Sequence, residues 1–468
     1  MLFSSMTFLW IFLPIVLLGY YIVPKPIKNY FLLVASLLFY SWGEPIYILL
    51  MLISIATNYF LALSMNFQVG ACRKFILVLA LIFNLGLLGY FKYFDMVIHS
   101  INSILNTQIS DTNIILPIGI SFYTFQILSY IIDLYRKKIE VQKNIFKLGL
   151  YISFFPQLIA GPIVNYKDFC NYIDFRTTTI EKTTYGIKRF IYGLGKKVII
   201  SNTLASAVDT LFGMNVDITT TFYVWLAVIL YSLQIYFDFS GYSDMAIGLG
   251  KIFGFDFKEN FDYPYTATSI TDFWKRWHIS LTSWFRDYVY IPLGGNRKGN
   301  IRTYINIAIV FTLTGLWHGA AFAFIAWGVW HGAFMLFERM WFKKVLDKCK
   351  YKFINRIYTM FVVLIGWVFF RAGGLSTALK LLKIMFIPTE MQKIELLPLY
   401  IGTDTIIIAV VAILLCGVIQ QTFPKLQYAL YNEQKTGMVQ NFVLIAVLLF
   451  SIVLLVSDSY NPFIYFRF

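Results

Sequence analysis

The sequence predicts an all-α protein that crosses a membrane many times. Its 468 residues are 59% hydrophobic and only 13% charged, and their mean hydropathy is +0.68. Soluble domains are about 45–50% apolar and about 25% charged. Apolar runs recur along the whole chain, and no polar linker separates them. We therefore predict one integral-membrane domain that spans residues 1–468.

The apolar runs are long enough to give a series of membrane spans. The candidate spans are 6–23, 30–44, 46–65, 75–94, 113–135, 148–164, 186–208, 221–250, 304–320, 321–341, 355–371, 404–420 and 441–457. We expect some of these to be re-entrant or interfacial, which leaves about eleven crossings of the bilayer. The first run has no basic segment before it and no small-residue cleavage site, so it is predicted to be a retained helix.

The basic residues behind the net charge of +15 lie mainly in short connections between the apolar runs, as in other membrane proteins. Basic residues crowd two short connections, 136–147 and 339–356, which should be cytoplasmic. The connections 95–111 and 390–404 are poor in basic residues and should face outward. This pattern indicates anionic lipid headgroups as the electrostatic partner, and no nucleic acid.

Two segments are expected to interrupt the helices at membrane depth. Residues 154–164 read FFPQLIAGPIV, and residues 236–250 read YFDFSGYSDMAIGLG, with Asp238 and Asp244 close to Gly241. Irregular backbone and carboxylates are tolerated at depth only where protein buries them or water reaches them. Both segments therefore suggest a cavity or funnel. For the two aspartates, hydrogen bonding between helices is an equal alternative.

The segment 262–300 has the composition of a helix that lies at the membrane surface. Its apolar residues recur at helical spacing, and charged residues interrupt the apolar face. These apolar residues are Trp274, Trp277, Leu281, Trp284 and Tyr288. We predict that Asp272 caps the start of this helix and that Pro292 ends it. His278 would share the aromatic face, where a histidine by itself is typical of a packed core.

Two further histidines lie inside an apolar stretch. Residues 304–342 contain no Asp, Lys or Arg before Glu338 and Arg339, yet His318 and His331 lie within them. An ionisable group at this depth indicates a functional site, and a neutral imidazole can act there as a general base. The chain has no HExxH string, no Cys/His pattern and no GxSxG elbow, so we expect no metal site and no serine nucleophile. A proton-coupled transporter or flippase is the alternative from another class, although no inverted repeat of broken helices supports it.

Three motifs resemble a known family. They are FDFSGYSDMAIGLGKIFGF at 237–255, FWKRWHISLTSWFRDYVYIPLGGNR at 273–297 and LTGLWHGAAFAFIAWGVWHG at 313–332. Together they resemble the bacterial membrane-bound O-acyltransferase family, and the likeness covers essentially the whole chain. Within that family the chain is most similar to the alginate O-acetyltransferase membrane subunit and other polysaccharide-acetylating members. The resemblance implies a ring of helices around a thinned centre with opposing funnels.

The resemblance also implies roles for individual residues. His318 in the WHG motif is similar to the catalytic histidine of the family, and His278 in the RWH motif to its second active-site position. His331 matches the third motif histidine, to which we assign a structural role. The residues that would wall the substrate funnel are Trp317, Trp277, Arg286, Asp287, Asp238 and Asp244.

The reaction implied by the resemblance moves an acyl group, here acetyl, across a bacterial plasma membrane. The donor is a cytoplasmic thioester such as acetyl-CoA, with no bound cofactor, and the acceptor is a hydroxyl of an extracellular or cell-wall polysaccharide. A secreted or membrane-tethered esterase-like partner would complete the transfer. The related teichoic-acid D-alanyltransferases use a carrier-protein donor and remain an alternative. The YIPLGGNR string at 290–297 and the long continuation after His331 favour the acetyl-transferring branch.

The final residues, SDSYNPFIYFRF, resemble the FxYFxF ending of polysaccharide-modifying members. The resemblance implies that Tyr465 is a first acyl acceptor, its phenol activated by His318. A tyrosyl ester suits a relay, because a phenolate, with a pKa of about 10, is a better leaving group than an alkoxide. The alternative is an aromatic belt at the membrane interface.

Overall fold

The computed structural model describes residues 1–112, 114–214, 219–387, 401–423, 437–457 and 460–464. Every regular element within these ranges is a helix, which confirms the predicted all-α class. The chain divides into two compact units. Unit 1 comprises Met1–Phe190 and Met245–Lys258, and unit 2 comprises Ile191–Asp244 and Glu259–Phe468. The single domain expected from the sequence stays a prediction.

Unit 1 is a helical bundle with an aromatic and amide-bridged interior. Its helices are Phe8–Phe12 continuing into Leu13–Ile22, Lys28–Gly43, Tyr47–Phe67, Gly70–Leu105, Ile120–Tyr135, Ile145–Ser153, Phe155–Leu158, Tyr166–Phe175 and the first part of Ile180–Gly195. Phe3, Phe8 and Phe39 are fully buried. Asn58 and Asn84 exchange two side-chain hydrogen bonds of 3.0 and 2.7 Å, which satisfies both buried amides.

Unit 2 contains the three motifs. Its helices are Lys196–Asn202, Thr203–Gly213, most of Thr221–Ile252, Ile270–Arg276, Ile279–Phe285 continuing into Arg286–Tyr290, Asn300–His318, Phe322–Phe337 continuing into Glu338–Phe342, Lys343–Lys348, Lys352–Arg371, Leu375–Phe386, Thr403–Ile413 continuing to Thr422, and Met438–Ser457. We call Lys196–Asn202 the lysine turn and Thr221–Ile252 the long helix. We call Asn300–His318 the His318 helix and Phe322–Phe337 the His331 helix.

Six helices in the described part of the chain are long and apolar enough to cross a membrane. They are Tyr47–Phe67, Gly70–Leu105, Thr221–Ile252, Lys352–Arg371, Thr403–Thr422 and Met438–Ser457. The apolar window of Met438–Ser457 is only 11% buried, whereas that of the long helix is 78% buried. Met438–Ser457 therefore presents its apolar surface outward, as a lipid-facing helix does, whereas the long helix, Thr221–Ile252, lies in the core. About eleven crossings, as predicted from the apolar runs, are not confirmed.

The two predicted helix breaks have different outcomes. The break within 154–164 is confirmed, because helix Ile145–Ser153 ends there and only one further turn, Phe155–Leu158, follows. The break within 236–250 is wrong, because the long helix continues through it. Gly241 lies where another chain segment approaches closely: a Cβ on it would be 2.8 Å from the Gly193 carbonyl oxygen. The small residue serves close packing of helices there.

This close approach predicts the effect of adding one methyl group. The Gly241→Ala variant should unfold more readily, by about 1–3 kcal/mol, because its Cβ would overpack the contact with Gly193. Thermal unfolding in detergent measures the change. Gly86→Ala is the matched control, because a Cβ on Gly86 meets nothing within 4 Å. Equal unfolding midpoints for the two variants would show that the contact at Gly241 is not tight.

Candidate active site

The His318 and His331 helices pack backbone against backbone. A Cβ on Gly315 would lie 2.3 Å from the Phe324 carbonyl oxygen, and a Cβ on Gly328 would lie 2.2 Å from the Phe311 carbonyl oxygen. Only glycine allows such an approach, which is the small-residue packing common between membrane helices. The contact fixes the two histidine-bearing helices side by side.

His318 is enclosed by aromatic rings. It is the last residue of its helix, the following Gly319 is extended, and its side chain is buried. The imidazole centroid lies 4.9 Å from the Trp317 ring, 4.9 Å from the Trp327 ring and 5.2 Å from the Phe370 ring. These aromatic neighbours surround the buried imidazole and leave its side chain little contact with solvent.

The predicted surface helix around His278 is in fact two short helices. Ile270–Arg276 begins at Ser269, whose hydroxyl accepts a hydrogen bond of 2.9 Å from the Asp272 amide, and Asp272 in turn accepts one of 3.1 Å from the Thr268 amide. The cap is therefore Ser269, the Asp272 carboxylate bonds the amide of the residue before the cap, and the predicted cap at Asp272 is wrong. His278 then interrupts the helix with φ +46° and ψ +53°. A left-handed conformation is strained for a residue with a Cβ and is concentrated at functional sites.

Asn260 orients the His278 ring, and no sequence pattern singled it out because it lies outside the recognised motifs. The amide oxygen Oδ1 of Asn260 accepts hydrogen bonds from the amide and the hydroxyl of Ser280, at 3.1 and 2.9 Å. It also lies 3.3 Å from His278 Nδ1. Since Oδ1 can only accept, Nδ1 carries the proton and Nε2 of the neutral ring is the acceptor. His278 lies outside the membrane-spanning helices, and its burial lowers its pKa to about 3.

The structure brings the two motif histidines together. The His278 and His318 ring centroids are 6.3 Å apart, and the His278 ring is 5.9 Å from the Trp317 ring. Phe239 of the long helix packs on His278 at 4.6 Å. Residues from three distant parts of the sequence therefore form one aromatic site with two buried imidazoles.

His331 lies beside this site among aromatic rings. It packs on Phe273, Trp274 and Trp327, with centroid distances of 6.0, 5.3 and 5.3 Å. A Cβ on Gly366 would be 2.6 Å from its Nε2. In the described part of the chain neither ring nitrogen has a hydrogen-bond partner. This tight apolar packing supports the structural role given to His331.

Glu338 is a second residue that the sequence did not single out. It directly follows the His331 helix, is buried, and accepts hydrogen bonds of 2.5 and 3.0 Å from the Ile270 and Thr271 amides and one of 2.8 Å from the Thr271 hydroxyl. Its carboxylate thus satisfies amides at the start of Ile270–Arg276, as a capping side chain does. The contact ties the segment that leads to His278 to the end of the His331 helix.

The other predicted wall residues occupy different positions. Trp277 stacks on Phe273 at 5.6 Å and contacts Trp367 at 5.0 Å, beside the histidines. Arg286 is paired with Asp287 through contacts of 2.8 and 3.3 Å. Asp238 and Asp244 form ion pairs of 2.6 Å with Lys197 and Lys196. Tyr465 lies outside the described residues.

A cavity of about 220 Å³ lies near this site, with two arginines in its lining. Its wall residues are Trp274, Leu281, Thr282, Phe285, Arg286, Tyr290, Ile307, Val310, Phe311, Thr314, Met335 and Arg339. His318 is not among them. Trp274 lines the cavity and contacts Trp327 at 5.6 Å, and Trp327 contacts His318. Two tryptophan rings therefore connect the cavity wall to His318.

The geometry at Asn260 predicts the protonation state of His278. In protein labelled with ¹⁵N at histidine, His278 should carry its proton on Nδ1 and stay neutral from about pH 7 to about pH 5, because its pKa is lowered to about 3. Solid-state ¹⁵N NMR reports both properties, and the His278→Gln variant assigns the signal. In Asn260→Ala the preference for the Nδ1-protonated form should be lost. A ring that is charged at about pH 5, or protonated on Nε2 in the wild type, would contradict this assignment.

Comparisons with known proteins identify the family of this chain. The sequence profile of the membrane-bound O-acyltransferase family matches residues 134–379, which include all three motifs. The chain is 38% identical to the probable alginate O-acetylase AlgI of Pseudomonas putida over 100% of both proteins. It is 36% identical to the peptidoglycan O-acetyltransferase of Helicobacter pylori over 82% of the chain and 79% of that protein. A teichoic acid D-alanyltransferase of Bacillus subtilis is 33% identical over 45% of the chain and 55% of that protein.

The resemblance seen in the three motifs is thereby confirmed. The matched region includes both buried histidines and the helices that position them. The chain belongs to the membrane-bound O-acyltransferase family and is an O-acyltransferase.

Proposed function

We propose that this protein transfers an acetyl group from a cytoplasmic thioester, acetyl-CoA, to hydroxyls of an extracellular or cell-wall polysaccharide. It would do so in a bacterial plasma membrane, within a ring of about eleven helices around a central funnel. The observation that carries the proposal is the pair of buried imidazoles, His278 and His318, with centroids 6.3 Å apart. The relatives named for alginate and peptidoglycan O-acetylation support a polysaccharide acceptor.

His318 is the proposed general base. Its neutral imidazole accepts the proton of the acceptor hydroxyl while that oxygen attacks the thioester carbonyl carbon. The carbon–sulfur bond breaks, and the proton passes from His318 to the departing thiolate. His278, with Nε2 free of a proton, positions the hydroxyl or shares this proton. Trp317 closes one side of the site and limits access of water, which would otherwise hydrolyse the thioester.

The cavity that contains Arg286 and Arg339 is the proposed donor site. Its aromatic and aliphatic walls suit the apolar part of a pantetheine arm, and guanidinium groups suit the phosphates of CoA. Arg339 belongs to a basic connection that the sequence predicts to be cytoplasmic. Trp274 belongs to the cavity wall, and Trp327 lies in contact with both Trp274 and His318. The acetyl group therefore reaches His318 only when these two rings move.

Tyr465 is the proposed first acceptor, from which an esterase-like partner outside the cell would take the acetyl group. Its phenol would lose its proton to His318, as described for the acceptor hydroxyl. The proposal for Tyr465 follows from the ending FIYFRF and from the neighbouring segment 460–464, whose backbone is hydrogen-bonded to Lys197 and Asp238. A partner is needed in this scheme because a polysaccharide cannot enter a site enclosed by buried rings.

Turnover of the donor tests the assignment of the base. In liposomes with acetyl-CoA, His318→Ala should lower thioester consumption by about 10²–10⁴-fold, the usual contribution of a general base. His278→Ala should lower thioester consumption less, because the His278 ring only positions the hydroxyl or shares the proton that His318 accepts. His99→Ala is the matched control, since His99 is an exposed histidine that pairs with Asp111. Turnover in His318→Ala at the wild-type rate would reject His318 as the base.

Donor choice separates acetyl transfer from the D-alanyl alternative. Purified protein offered acetyl-CoA and a D-alanyl carrier protein at equal concentration should consume acetyl-CoA at least about 10-fold faster, expressed as kcat/KM. Arg286→Ala should raise the KM for acetyl-CoA, because it removes a guanidinium from the cavity, and should leave carrier-protein turnover unaffected. A preference for the carrier protein would establish the alternative instead.

A further inference from the structure

A buried ion pair lies at the centre of unit 2. Lys197 on the lysine turn and Asp238 on the long helix are 2.6 Å apart, Nζ to Oδ1, and each side chain is only 1% exposed. Removing two charges from water costs more than their mutual attraction returns unless further hydrogen bonds satisfy both groups. The surroundings of the pair therefore indicate what it does.

Both charged groups contact the same short segment, residues 460–464. Asp238 Oδ2 accepts a hydrogen bond of 3.0 Å from the Ile464 amide. Lys197 Nζ donates to the Pro462 carbonyl oxygen. The pair thus binds one backbone donor and one backbone acceptor, two residues apart, and these bonds help to satisfy both charges.

Flanking contacts hold the same segment. The Tyr460 hydroxyl is hydrogen-bonded to Asp209, whose other carboxylate oxygen is 2.5 Å from Arg371. Asn461 Oδ1 accepts a hydrogen bond of 3.1 Å from Asn202 Nδ2. The Phe463 ring packs on Tyr242 at 4.8 Å. Each residue from 460 to 464 is therefore in contact with the helices of unit 2.

A second ion pair shows that joining the two helices does not require Lys197 and Asp238. Lys196 and Asp244, on the same lysine turn and the same long helix, are also 2.6 Å apart. That pair links the two elements through a contact between side chains. The Lys197–Asp238 pair adds the two backbone contacts to segment 460–464.

The last residue of segment 460–464, Ile464, is buried among aromatic side chains of unit 2. Ile464 is buried in the apolar cluster that also contains Trp274, Trp277 and Trp327. Asp238 is followed on the long helix by Phe239, which packs on His278 at 4.6 Å. Ile464 thus belongs to the same apolar cluster as Trp327, which contacts His318, and the next residue in the sequence is Tyr465.

We propose that Lys197 and Asp238 are positioning residues that hold segment 460–464 in the aromatic core, so that acylation of Tyr465 depends on this buried ion pair. The inference rests on the proposed relay function of Tyr465. In the step concerned, the phenol oxygen of Tyr465 forms a bond to the acetyl carbon and the carbon–sulfur bond of acetyl-CoA breaks. The phenol proton passes through His318 to the CoA thiolate, so atoms and charge balance.

Hydrogen exchange tests the anchor directly. The Lys197→Met/Asp238→Leu double variant removes both charges at similar side-chain volume and leaves no single buried charge. Exchange of the amides in 460–464, measured by mass spectrometry on full-length protein in lipid nanodiscs, should become at least about 10-fold faster. The matched control, Lys196→Met/Asp244→Leu, should leave this exchange within about 2-fold of the wild type. No acceleration, or equal acceleration in both variants, overturns the anchor.

Exchange in helix Lys352–Arg371 reports in the same samples whether the variants are folded. Should the double variant fail this check, Asp238→Asn replaces it, because the amide keeps the shape and an acceptor oxygen while it removes the charge. A smaller acceleration in 460–464, by at least about 3-fold, is expected for Asp238→Asn, because a neutral amide oxygen is a weaker acceptor for the Ile464 amide than a carboxylate. An unchanged exchange rate overturns the anchor there as well.

The acyl readout separates this inference from the proposed function. After exposure to acetyl-CoA, the wild type should carry added acetyl mass on Tyr465, and the double variant should acquire it at least about 10-fold more slowly, with kcat lowered and the KM for acetyl-CoA unchanged. If the wild type carries no acetyl on Tyr465, the relay is wrong, whatever the exchange result. If the double variant exchanges rapidly in 460–464 yet is acetylated at the wild-type rate, the relay stands and the positioning role is overturned.

Discussion

The close contact between the His318 and His331 helices is the constraint on which the site depends. At Gly315 and Gly328 the two helices meet backbone to backbone, and any larger side chain would force them apart. This contact places Trp327 against His318 and His331 against Trp274. Glu338, directly after the His331 helix, then caps the short helix that precedes His278. The position of both imidazoles thus follows from one glycine-mediated helix pair.

The buried ionisable side chains of unit 2 have two kinds of surroundings. The histidines are packed among aromatic rings, and Asn260 fixes which nitrogen of His278 holds the proton. The aspartates of the long helix remain beside lysines of the lysine turn, so each buried charge has a partner. One of these pairs also binds the backbone of 460–464. The contact with His278 and the contact with segment 460–464 therefore come from neighbouring residues of the same helix, Phe239 and Asp238.

Sequence patterns succeeded where one physical requirement dominates. Long apolar runs predicted helices, because backbone polar groups in a bilayer are satisfied only within a helix or a closed barrel. Pro156, Gly161 and Pro162 predicted the break after Ser153, because proline cannot continue the hydrogen-bond ladder. His318 was singled out because ionisable groups are rare in apolar stretches, whereas the role expected of His278 came from the resemblance of the RWH motif. For the segment around Gly241 the pattern was misleading: glycine and aspartate resemble helix breakers, but tertiary contacts override that weak propensity.

The sequence by itself determined the all-α class, the family and the two histidines that define the site, since apolar length and long motifs are properties of the chain alone. Only the tertiary structure decided the capping of Ile270–Arg276 by Glu338, the left-handed turn at His278 and the partners of Asp238 and Asp244. Asn260, Glu338 and segment 460–464 act through contacts with residues far away in sequence or in another element. Such contacts depend on which helix faces which, and helical periodicity does not specify that. The sequence therefore identified the motif histidines, and the structure showed which residues hold them in position.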